Sequence, residues 1–240
     1  MFDLAQAAVE GALAAGAQYA DARVVVSKNQ SIAVLNAEPQ SIDQAERAGV
    51  GVRALTGSGW GFYATSDLTS VAARMAGEKS AAISRASASV PGPDMPLAAG
   101  AGVEVFYETP YEEDPFAIPV ADKVDLLIAV TKTMQEVDGV ALASGNLAFW
   151  DTNKWFVSSQ GHRIHQHLVE SGGGYDATAL GEGEVQRRSY PQSFGQFETG
   201  GYEAVRKWDY LGNAGRIAEE AAALLSAPEI EEGEKSLILE

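Results

Sequence analysis

Gly49-Val50-Gly51-Val52-Arg53-Ala54-Leu55, Thr56-Gly57-Ser58-Gly59 and Trp60-Gly61-Phe62-Tyr63-Ala64-Thr65 follow one another without a break, and together they read as an antiparallel hairpin. Val50, Val52 and Ala54 fall on one face of an extended segment that begins near Ile42; side chains two apart share a face of a strand. Glycines at 57 and 59 supply the turn, and the aromatic run from Trp60 is the return strand. The same glycines superficially suit a phosphate-binding loop, but that chemistry needs a helix N-terminus directly after them. An aromatic strand follows instead, so a hairpin turn is the better reading.

Working outward, Ala22, Val24 and Val26 alternate with polar positions as in a strand, Lys28-Asn29-Gln30 reads as a turn into Ser31 to Leu35, and Pro39 marks a loop or edge. Upstream, Phe2, Ala5, Val9 and Leu13 recur at helical spacing before Gly16. Downstream, Ser66 or Asp67 caps a helix whose expected buried stripe is Leu68, Val71, Met75 and Ala82, ending near Ala86. Residues 87–118, rich in Ser, Ala, Pro and Gly, read as a connector with one short strand at Val103 to Tyr107. Pro119 opens a second helix through Val120, Val124, Leu127, Thr131 and Met134, stopped by Asp138-Gly139. Strands are then expected at Val140 to Trp150, Lys154 to Ser159, His162 to Ser171, Tyr175 to Leu180 and Val185 to Tyr190, with turns at Asp151-Thr152-Asn153, Gln160-Gly161 and Gly172-Gly173-Gly174. A helix from Asn213 to Ala227 follows, packing through Ile217, Ala221 and Leu224 or Leu225.

The fold class is therefore α+β, mainly antiparallel, with a helix–strands–helix order occurring twice. The expected division is 1–86 for the first half, 87–118 for the connector, 119–228 for the second half and 229–240 for a linker and the start of a further domain. Element order suggests a structural duplication, with little residue identity between the halves. In that last stretch Lys235-Ser236-Leu237-Ile238-Leu239 reads as a strand opening after the acidic linker Glu229 to Glu234, with little chain left to pair it.

Charge narrows the partners. With 33 Asp+Glu against 17 Lys+Arg the net charge is −16, which repels phosphate and removes the counterion-release contribution to nucleic-acid affinity. Direct nucleic-acid binding is not expected. The absence of cysteine excludes disulfides and thiolate zinc within these residues, and the start of the chain lacks a basic, apolar leader. No apolar run is long enough to span a bilayer. A cytoplasmic setting and no membrane partner are the expectations.

Candidate chemistry is sparse. His165 and His167 lie two apart, so both imidazoles share a strand face as a metal pair requires, while His162 falls on the other face. Sequence places no third ligand, and a polar strand face explains them more simply. The acidic clusters Glu112-Glu113-Asp114 and 229–234 lack calcium-loop spacing and read as solvated linkers. No Gly-x-Ser-x-Gly elbow, P-loop or His-Glu-x-x-His occurs, so no catalytic or cofactor-binding residue is assigned. Trp60, Phe62, Tyr63, Phe149, Trp150, Trp155 and Phe156 read mostly as packing residues, with a peptide-binding wall as the minority role.

Tyr19-Ala20-Asp21-Ala22-Arg23, the Gly49 to Leu55 run and Gly59-Trp60-Gly61-Phe62-Tyr63-Ala64-Thr65 leading into a helix together carry a family resemblance. The chain resembles the N-terminal domain of the TldD/PmbA family, described as modulators of DNA gyrase and as zinc metallopeptidases. Arg187-Arg188-Ser189-Tyr190 and the closing run from Ala227-Pro228 to Leu239 match as well, and the ending looks more like the TldD branch. The resemblance implies a scaffold that packs on its own C-terminal domain, forms a homo- or heterodimer and walls a chamber for unfolded peptides. It places zinc on a His-Glu-x-x-x-His helix absent from these residues, so this segment alone is expected to be inactive. A non-catalytic binding or regulatory subunit, PmbA-like or gyrase-associated, is the alternative.

Overall fold

The computed structural model describes every residue except 91, 94, 95, 98, 99, 182, 194, 229–232, 235 and 237–240. The elements are α1 (Phe2–Ala14), β1 (Tyr19–Leu35), β2 (Glu38–Thr56), β3 (Gly59–Thr65), α2 (Ser70–Ser87), β4 (Glu104–Glu108), α3 (Val120–Gln135), β5 (Val140–Ser158), β6 (Arg163–Leu180), β7 (Val185–Tyr190), β8 (Gln196–Thr199), α4 (Glu203–Lys207) and α5 (Tyr210–Leu224). The fold is α+β. Both halves run helix, strands, helix, and their strands join in one 8-stranded sheet of order β3-β2-β1-β5-β6-β4, with β7 and β8 also on β6. The seam is the antiparallel pairing of β1 with β5 from Asp21↔Ser158 to Leu35↔Ser144. Among the described strands only β4 runs parallel to its neighbour.

The hairpin at Gly57-Ser58 stands as read, with Thr56 opposite Gly59 and Gly57 at φ +56. Three other expected turns are strand interior. Lys28-Asn29-Gln30 continues β1, because Lys28 lies over the Phe116 ring at 4.6 Å and buried Gln30 accepts from Lys123 Nζ. The turn comes instead at Asn36 and Ala37, φ 50 and 64, where Asn36 Oδ1 accepts from the Ala143 amide at 2.8 Å. Asp151-Thr152-Asn153 continues β5, since Asp151 and Asn153 find histidine partners across the face. Gly172-Gly173-Gly174 continues β6: a Cβ at Gly172 would meet the Phe197 ring at 2.3 Å and one at Gly174 would meet Gly195 Cα at 2.4 Å. These glycines mark close crossing by Tyr190 and by Gly195, Gln196 and Phe197, where the sequence reads as a turn.

α2 also departs from expectation. Thr69 is its cap, accepting from the Ala72 amide at 3.2 Å. Val71 and Met75 are 71% and 47% exposed, and the buried face is Ala73, Ala76, Gly77, Ser80, Ala81 and Ser84. The small face wins because α1 and β3 approach backbone to backbone: a Cβ at Gly77 would lie 2.0 Å from the Ala8 carbonyl oxygen. β8 and α4 had no counterpart in the expected elements, and the last helix begins at Tyr210. The strand expected at Lys235 to Leu239 falls largely outside the described residues.

Even-numbered β1 residues Ala20, Ala22, Val24, Ile32 and Val34 are buried beneath the helices. Two cores lie along that face. α1 and α2 cover Val24, Val50, Val52 and Val157, while α3, α4 and α5 cover Ile32, Leu147, Phe149 and Tyr175. Odd-numbered β1 residues face the other side, where the described residues place no helix.

Candidate functional site

His165 and His167 project from β6 into the seam between the two cores. The register sets Trp155 and Phe106 beside His165, and Asn153 and Glu108 beside His167. His165 stacks on Trp155, with centroids 4.6 Å apart and planes 10° apart, and its Nε2 is 3.0 Å from Asn153 Oδ1. His167 is held from both sides, Nδ1 at 2.8 Å from Glu108 Oε1 and Nε2 at 3.0 Å from Asp151 Oδ1. Tyr111 meets its ring edge to face.

Environment separates the two imidazoles. Burial, helped by the neighbouring His167, pushes His165 below the usual histidine value. Burial pushes His167 down too, but the Glu108 hydrogen bond and the Asp151 carboxylate outweigh it and hold the ring above that value. With a carboxylate at each nitrogen both ring nitrogens of His167 are engaged, whereas a metal ligand needs a free lone pair. Among the described residues no group of three or more His, Cys, Asp or Glu is placed to hold a metal ion.

The same face buries Lys123, which donates to Gln30 Oε1 and the Pro115 carbonyl, with Nζ 4.4 Å from the Phe149 centroid. Burial lowers its pKa to about 8. Nothing in the sequence marked it, since a lysine within α3 reads as a solvated helix face.

The opposite face is organised by Asp21. Its fully buried carboxylate accepts from Arg53 Nη2 at 2.6 Å, Arg23 Nη1 at 2.7 Å and the Tyr19 hydroxyl at 3.0 Å. The two guanidiniums lie over Trp60 and Phe156. Beside them Gly49 and Gly51 leave a notch of about 360 Å³, lined by Val25, Phe62 and Ala64 with Arg23 and Arg47. The aromatic residues thus divide between faces: Tyr63 and Trp155 pack under the helices, while Phe62 stands 59% exposed on the open side.

Among curated proteins none matches the chain in sequence. Solved structures share its fold. A protein from Thermotoga maritima, named for modulation of DNA gyrase, superposes with a TM-score of 0.71 at 15% identity, over 96% of this chain and 50% of its own. A Bacteroides thetaiotaomicron protein named likewise gives 0.72 at 15% identity, over 91% and 48%. TldE from Thermococcus kodakarensis gives 0.57 at 14% identity, over 91% and 46%. The chain therefore spans about half the length of these relatives. Residues 20–89 match the PmbA/TldA metallopeptidase domain 1 and residues 113–227 the PmbA/TldA metallopeptidase central domain. The chain belongs to the PmbA/TldD family.

Proposed function

We propose that these residues are the scaffold half of a zinc-dependent peptidase acting on unfolded peptides, with the chemistry carried by residues outside the 240 described by this sequence. The observation that carries the reading is the match to two metallopeptidase domain models in a chain about half the length of its structural relatives. A helix-free sheet face is the surface such a scaffold would turn toward a chamber or toward its own C-terminal domain. Dimerisation with a family member and a cytoplasmic setting belong to the same proposal; none of the described helices is long and apolar enough to cross a membrane. So does the division into halves 1–86 and 119–228, whose strands run outward from the seam as β1-β2-β3 and β5-β6-β7.

The test is a purified 240-residue chain incubated with unfolded casein and zinc. The expected outcome is no stoichiometric zinc and no hydrolysis, with both gained in a longer protein that supplies a His-Glu-x-x-x-His helix. Zinc-dependent cleavage by the 240 residues alone would refute it. The net charge of −16 favours one second reading, a regulatory subunit docking on a basic protein surface. A longer protein without a metal-binding helix, and a salt-sensitive partner complex, would put that reading first.

A further inference from the structure

The open face carries a second feature that the scaffold reading does not use. β3 pairs with β2 only from Val50↔Thr65 to Thr56↔Gly59, so among the described residues the outer edge of β2 from Glu38 to Gly49 has no strand partner. The notch lies where that free edge meets the end of β3. Its floor is Gly49 and Gly51, which present backbone in place of side chains, and its walls are Val25, Ala64 and the exposed ring of Phe62. A Cβ at Gly51 would lie 3.3 Å from the Phe62 ring, so any larger residue there would fill the space the two glycines leave.

Two cations border this apolar hollow in a chain of net charge −16. Arg23 is already engaged, with Nη1 on Asp21 and its guanidinium over Phe156. Arg47 is exposed and makes no ion pair among the described residues. A guanidinium fork free of a carboxylate, next to an apolar hollow, suits an anion with an apolar tail, and the open strand edge beside it favours the carboxylate end of an extended chain. A segment running parallel to β2 along its free edge ends at Gly49. A chain that stops there, before Thr65 closes the edge at Val50, has its last side chain within reach of the notch and its terminal carboxylate within reach of the long, exposed Arg47 side chain that borders it, while the edge supplies backbone hydrogen bonds.

We infer that the notch at Gly49 and Gly51 is a binding site for the C-terminal residue of an extended peptide with an apolar last side chain, Arg47 receiving the carboxylate. The inference goes beyond the scaffold reading and does not rest on it, because carboxylate-dependent binding is read without zinc or hydrolysis.

The probe is a fluorescein-labelled octapeptide ending in Val-Leu, as free acid and as C-terminal amide, titrated against the 240-residue chain by fluorescence anisotropy. The acid is expected to bind at least about tenfold more tightly than the amide, the scale of one charge-assisted hydrogen-bonded pair. Arg47→Gln, at an exposed position, removes that difference while leaving the melting temperature unchanged. Ala64→Leu fills the notch from an exposed site on β3 and abolishes binding of both peptides. The inference is overturned by equal binding of acid and amide, by no binding of either, or by an acid preference that survives Arg47→Gln. Octanoate displacing the labelled acid as effectively as unlabelled peptide also overturns it, since the site would then take a small amphiphilic acid.

Discussion

The two cores under the same sheet are built from opposite materials. Between α1 and α2 the contacts are Ala5, Ala8, Ala12, Ala73, Ala76 and Ala81, with Gly11 and Gly77 pressed against the backbone of the partner helix. Under α3, α4 and α5 the contacts are Leu127, Met134, Phe149, Tyr175, Trp208 and Tyr210, with the Lys123 ammonium among them. The hydroxyls of Tyr175 and Tyr210 are buried there without a hydrogen-bond partner among the described residues. The first core gains stability from close approach and has no room for added volume. The second gains it from large apolar area and tolerates polar groups within that area, at the expense of their hydration. Similar element orders thus do not imply similar packing, and the same kind of substitution has different consequences in each.

Gly77→Val breaks the contrast most directly. Its Cβ would lie 2.0 Å from the Ala8 carbonyl oxygen, and backbone cannot rotate aside as a side chain does. A loss of about 3 kcal/mol or more is expected in denaturant unfolding. A loss under about 1 kcal/mol would show that the two helices slide apart freely.

Lys123→Met sharpens the other side. Burial lowers the lysine pKa from 10.5 to about 8, so the unfolded chain holds this proton more firmly than the folded one. Stability therefore rises as pH climbs from about 8 toward 10.5, by an order of about 1–3 kcal/mol, and the rise should vanish in the variant. Unfolding curves of parent and variant between pH 7.5 and about 9.5 isolate the effect, because the other titrating groups are common to both. Parallel pH profiles would mean the ammonium is better hydrated than its aromatic surroundings imply.

The smallest effect lies in the seam between the cores. His167 is held above the usual value of 6.5 by Glu108 and Asp151 despite its burial. Its contribution is fully present below the unfolded value and is lost as pH rises through the elevated folded value. Glu108 is half exposed, so the clasp is expected to be worth at most about 1 kcal/mol and to weaken with salt. His167→Gln should flatten that part of the melting-temperature profile.

Local signals made much of this legible. The alternation of Val50, Val52 and Ala54, the glycines at 57 and 59 and the helical spacing in α1 and α3 each act within a few residues, and all four elements occur where those signals put them. The pairing of the two histidines on one face followed from strand periodicity alone. Their partners did not, because Glu108 is 59 positions from His167 in sequence and reaches it only through a parallel strand pairing.

What the sequence by itself determined is the α+β class, the doubled element order, the acidic character and, through the glycine-aromatic hairpin, the family. What tertiary structure alone decided is where polar and glycine residues break the chain and where they do not. Lys28, Gln30, Asp151 and Asn153 look like turn residues in isolation, yet each finds a partner from a distant segment and the strand runs on. Gly172 to Gly174 look like a flexible loop, yet the backbone crossing above them requires their missing side chains. The physical reason is common to both cases: a turn propensity is a preference of a fraction of a kcal/mol to about 1 kcal/mol per residue. Distant hydrogen bonds and sheet packing outweigh it once the chain has folded.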